Sequence, residues 1–82
     1  MRMARITNRK IIETFTLEIP KETFFQEVNY DDMLHNMMKY LSDVRTLIEK
    51  ETNEKTFEIR EIRYNEKDDG IIDINIEKVV KQ

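Results

Sequence analysis

Residues 30–52, YDDMLHNMMKYLSDVRTLIEKET, carry the apolar periodicity that decides the fold. At about 100° per residue, Tyr30, Leu34, Met37, Leu41, Val44 and Ile48 fall on one side of a helix. Met33, Tyr40 and Leu47, spaced by sevens, widen that arc on one flank, and Met38 widens it on the other. The apolar surface then covers roughly half of the cylinder, whereas a helix lying on one small sheet needs little more than ~100°. Something must cover the surplus, and a second copy of the chain is the simplest candidate. The sequence therefore predicts a homodimer with Met33, Tyr40, Leu47 and Met38 at its interface.

Asn29 sits where an N-cap is needed, and Asp31 and Asp32 follow in the first turn, where the helix dipole favours negative charge. Lys50 suits the other end, and the chain around Asn53 and Glu54 is expected to close the helix without a glycine. Upstream, residues 11–19 alternate as a strand, with Phe15, Leu17 and Ile19 on one face and Thr14, Thr16 and Glu18 on the other. Pro20 lacks a ladder donor and should end it. Between strand and helix, Thr23 and Gln26 stand at capping-box spacing, which allows a short helical turn around Phe24 and Phe25; alternatively, the paired phenylalanines plug one end of the core.

Downstream, residues 56–64 and 71–80 read as a hairpin around Asp68, Asp69 and Gly70. A three-residue loop ending in a left-handed glycine would set Tyr64 opposite Ile74 and Ile62 opposite Ile76. Phe57 and Ile59 then fall out of phase with Ile62 and Tyr64. Either a bulge near Arg60 and Glu61 returns them to the core face, with Phe57 opposite Val80, or they lie on the back of the sheet beside Val79 and Ile71. The bulge is the preferred of the two. The expected fold is thus α+β, a small β-α-β-β domain with one long amphipathic helix packed on a three-stranded, antiparallel or mixed sheet ending in a hairpin. Such a sheet has two open edges, which association through an edge would remove.

The chain has 82 residues, enough for one domain, expected over residues 11–82. A chain this short buries only roughly 60% of its unfolded surface, so disulfides, metals or oligomerisation usually assist it. There are no cysteines, which leaves oligomerisation as the expected device. No apolar run is long enough to span a bilayer, and the N-terminus has a basic start without the apolar core of a secretory signal, so a cytoplasmic location is expected. Ala, Gly and Pro occur once each while Ile occurs eleven times, a bias that suits AT-rich coding DNA and an accessory protein of a phage or mobile element.

The net charge of −3 is unevenly spread. Residues 1–10 contain Arg2, Arg5, Arg9 and Lys10 and no acid, whereas the rest of the chain holds ten basic groups against seventeen acidic ones. This basic arm, read as a flexible tail or a charged edge segment, is the candidate for contact with nucleic acid. The acidic remainder opposes that reading, and the polar side of the long helix mixes both signs.

Nothing in the sequence forms a catalytic or cofactor motif. Asp31 and His35 at i, i+4 could supply two metal ligands, but a third is missing, and the pair reads as solvated side chains. Ser42 lies seven residues from His35, about 10.5 Å along a helix and beyond hydrogen-bond reach. Asp68, Asp69 and Asp73 lack the alternate spacing of a calcium loop and read as turn residues. One glycine cannot build a phosphate cradle. The expected function is therefore a non-enzymatic protein–protein interaction module, a homodimeric regulator or inhibitor without metal or cofactor. The alternatives are a nucleic-acid-binding protein using its basic arm, or a structural subunit of a larger assembly.

Overall fold

The computed structural model describes residues 11–64 and 70–81, and Ala4 by itself. The order is strand β1 (Ile11–Pro20), helices α1 (Lys21–Glu27), α2 (Tyr30–His35) and α3 (Met37–Thr52), then strands β2 (Glu58–Tyr64) and β3 (Ile71–Lys81). All pairings are antiparallel, and β3 lies in the centre, in the order β1-β3-β2. The chain is an α+β fold, as its periodicities require.

Each strand puts alternate side chains on the helix-covered face. Ile19 of β1 and Ile72, Ile74 and Ile76 of β3 are buried there, with Phe15, Leu17, Ile59, Ile62 and Tyr64 packed around them. From the other layer come Phe24, Val28, Tyr40, Val44, Leu47 and Ile48, and Phe57 enters from the segment before β2. No polar or charged residue is buried among the described residues. The opposite face carries Thr16, whose Oγ1 donates to Asn75 Oδ1 at 2.7 Å, and the Arg60–Glu77 ion pair at 3.6 Å.

Three features differ from the sequence expectation, and a fourth agrees with it in part. The long helix is broken at Asn36, which has φ −138° and ψ 80° and serves as C-cap of α2 and N-cap of α3. Its side chain accepts from the Lys39 amide at 3.3 Å. Asparagine offers the backbone this local alternative to helix continuation, and the unbroken apolar periodicity across residue 36 concealed it. Secondly, the short helix expected around Phe24 and Phe25 does form, but α1 begins directly after Pro20 with no side-chain cap, so the Thr23–Gln26 spacing forms no capping box. Phe24 is nevertheless fully buried, with Phe25 edge-on to it at 5.0 Å.

The hairpin register is the third difference. Tyr64 pairs with Ile72 and Ile62 with Ile74, two residues from the expected partners. A shift of two preserves the face of every side chain, so the same isoleucines reach the core. Gly70 has the positive φ expected of it (+77°), while Asp68 and Asp69 lie outside the described residues. Finally, a bulge does occur where it was preferred, between Ile59 and Glu61, and returns Ile59 to the core face opposite Ile76. Phe57 is buried too, but it precedes β2 and has no partner at Val80.

The remaining joints follow their residues. Asn29 Oδ1 accepts from the amides of Asp31 at 2.7 Å and Asp32 at 3.2 Å, capping α2. Asn53 closes α3 in the left-handed conformation, φ 63°, which asparagine tolerates better than most residues. Arg45 of α3 donates to the Phe57 carbonyl at 2.9 Å and lies 4.3 Å above the Phe57 ring centroid, fixing the approach to β2. Lys50 pairs with Glu27 at 2.9 Å and Lys78 with Glu54 at 2.6 Å. The hydrogen bond and charge of Glu27 hold the Lys50 ammonium above its ordinary pKa.

Candidate functional site

Because β3 is central, β2 is an edge strand, and no described strand pairs with its outer side. The helix layer overhangs that edge. Between them runs a groove of about 440 Å³, lined by Met33, Met37, Tyr40, Leu41, Ile59, Ile62 and Tyr64 and by the charged Arg60 and Glu61. It continues past Leu41 and Ile59 into a second hollow of about 420 Å³, lined by Met38, Ser42, Arg45 and Glu58 as well. Leu41 and Ile59 line both parts and form the waist of the groove.

The apolar wall comes from α3. Tyr40, Val44, Leu47 and Ile48 form the stripe facing the sheet, at i, i+4, i+7 and i+8. Met37, Met38 and Leu41 stand beside that stripe and are 58%, 86% and 41% exposed. Tyr30 and Leu34 of α2 are exposed as well, with Tyr30 leaning on Phe25 at 5.6 Å. Tyr64 contributes a ring edge-on to Phe24 at 6.0 Å, and its buried hydroxyl has no hydrogen-bond partner among the described residues.

The four residues expected at the interface are therefore divided. Tyr40 and Leu47 are 4% and 1% exposed and belong to the core, so they present almost no surface to a partner. Met33 is half-buried on the groove floor, and Met38 alone is open. The stripes 37-41-44-48 and 40-44-47-48 share Val44 and Ile48, so periodicity alone could not decide which one meets the sheet. The open apolar surface of α3 is consequently Met37, Met38 and Leu41, two of which the sequence assigned to the core side. Ile59 and Ile62 were legible as core-face strand residues but not as one wall of a groove.

Electrostatically the rim is mixed. Lys39 bridges Asp43 at 3.3 Å and Asp32 at 3.5 Å, joining α2 to α3, and these contacts hold its ammonium above the ordinary range, with the Asp43 hydrogen bond the largest cause. Burial pushes the Tyr40 phenol up to about 12. His35 and Asp31 stand 3.9 Å apart and are both largely exposed. Among the described residues no group of three or more His, Cys, Asp or Glu side chains is placed to share a cation. No helix among them is long and apolar enough to cross a membrane. Arg2, Arg5, Arg9 and Lys10 lie outside the described residues.

No protein-family model matches the chain, and comparisons with curated proteins and with solved structures found no match either.

Proposed function

We propose that this protein is a small, non-enzymatic, cytoplasmic module that acts by binding protein, and that it does so as a homodimeric regulator or inhibitor. The observation that carries this reading is the groove between α3 and the edge of β2. Met37, Met38 and Leu41 are left open beside a strand edge with no described partner. An apolar wall next to unpaired backbone donors and acceptors suits a polypeptide, which can fill the hollow with side chains and extend the sheet with its main chain. A small core gains most from such a partner.

The test compares two substitutions at exposed leucines. Leu41→Asp places a charge at the waist of the groove, whereas Leu34→Asp places one at an exposed α2 residue that does not itself line it. Light scattering should show self-association weakened about thirtyfold by Leu41→Asp, the effect of losing ~2 kcal/mol at an interface centre. Leu34→Asp should leave it unchanged. Equal effects of the two, or none from either, would remove the groove from the account.

A further inference from the structure

We infer that the occupant of the groove is the same groove of a second copy, seated by antiparallel pairing of β2 with itself in one register. This rests on the homodimeric reading above and adds the strand that pairs and its register. Residues 58–63 read Glu-Ile-Arg-Glu-Ile-Arg. Laid antiparallel to itself about the midpoint between Arg60 and Glu61, this segment places Glu58 opposite the partner's Arg63, Ile59 opposite the partner's Ile62, and Arg60 opposite the partner's Glu61. By the two-fold symmetry each contact occurs twice. Every charge then meets its opposite and every isoleucine meets an isoleucine, and opposed pairs of this kind stabilise an antiparallel ladder.

The bulge is what permits this register. Residues directly opposite in a ladder lie on the same face of the sheet. In an unbroken strand paired to itself across a two-fold axis, only residues of equal parity can be opposed, which excludes Ile59 opposite Ile62. The extra residue between Ile59 and Glu61 resets the alternation. Over residues 58–63 the exposure runs exposed, half-buried, exposed, exposed, half-buried, exposed, which reads the same in both directions. Arg60, Glu61 and Arg63 share the open face, where Arg60 pairs with Glu77 at 3.6 Å and Arg63 with Glu61 at 3.1 Å. A register moved by one residue either way opposes an isoleucine on the core face to a charged residue on the open face.

Glu58 supplies a separate argument. Within the chain it faces Glu77 across the ladder, a like-charge opposition, and it forms no ion pair among the described residues. The partner's Arg63 would neutralise it. The two-fold axis stands perpendicular to the sheet, so both helix layers lie on one side of a six-stranded sheet, and Met37, Met38 and Leu41 of each copy close over the paired isoleucines. The other edge lacks such complementarity, because β1 carries Glu13 and Glu18 and no cation.

The experiment is a charge-reversal set followed by light scattering and circular dichroism. Glu58→Arg and Arg63→Glu, each alone, oppose like charges twice in the dimer and should weaken it about tenfold. In an equimolar mixture of the two variants, the mixed dimer sets the two arginines of one chain against the two glutamates of the other, one pair at each end of the ladder. The mixture should recover the wild-type mass, as should the double variant. Because each variant must be folded to complement the other, recovery on mixing also excludes misfolding as the cause of loss. Single variants that keep the dimer, or a mixture that stays monomeric, would overturn the register. Loss of self-association with Leu41→Asp would then still leave the groove as the contact between copies, held in a different register. Masses growing with concentration beyond a dimer would signify β1-to-β2 stacking and also overturn it.

Discussion

Tyr40 occupies the boundary between core and groove, and its phenol reports that position. Burial raises its pKa from 10.0 to about 12. Between those values the folded chain retains a proton that the unfolded chain has released, so the unfolded state gains relative stability as pH rises. The contribution is fully present below pH 10, declines above it, and levels off beyond about 12. Wild-type stability should therefore fall more steeply over that window than the stability of Tyr40→Phe, as measured by urea unfolding at a series of pH values. Parallel profiles for the two proteins would mean that the phenol is not held in the apolar environment described. The same residue shows how far sequence could reach at this scale. The spacing of Met33, Tyr40 and Leu47 marked Tyr40 as apolar-facing, but two adjacent stripes shared Val44 and Ile48, and only packing on the sheet separated core from surface.

At the scale of elements, β2 accommodates one additional residue. The bulge between Ile59 and Glu61 lets Ile59 and Ile62 face the core together, three positions apart. Deleting Arg60 would remove the unpaired residue and leave Ile59, Glu61 and Ile62 in strict alternation opposite Ile76, Asn75 and Ile74, with both isoleucines still facing the core. The deletion variant should therefore stay folded and change in stability by no more than about 1 kcal/mol, with a thermal midpoint by circular dichroism close to that of the wild type. A variant that unfolds, or that loses the several kcal/mol of an emptied aliphatic position, would contradict the assigned bulge. The phase conflict between Ile59 and Ile62 made this feature readable beforehand, because two apolar pairs cannot share a face without an extra residue between them. The break at Asn36 carried no such conflict. Apolar residues continue in helical phase on both sides of it, and an asparagine is compatible with either a helix interior or a cap. The register of the hairpin was likewise underdetermined, since a shift of two residues leaves every face unchanged.

At the scale of the molecule, one helical layer covers one face of a three-stranded sheet, and the described elements leave the β2 edge and the flank of α3 open beside each other. Both predicted liabilities, surplus apolar helix surface and an open edge, thus meet in one place. The surplus was legible in the periodicity of residues 30–52. Its location was not, because it depends on strand order, and a β-α-β-β sequence does not state whether the last or the middle strand takes the centre of the sheet. Self-pairing of β2 would cover the edge and the helix flank in a single contact, and would use ion pairs at its rim that salt screens.

The most direct test is the solution mass of the wild-type chain by sedimentation across micromolar concentrations at two salt levels. Self-pairing of β2 predicts twice the 10.0 kDa chain mass at the upper concentrations, with dissociation on dilution that begins earlier at high salt. A mass of 10.0 kDa throughout would contradict it.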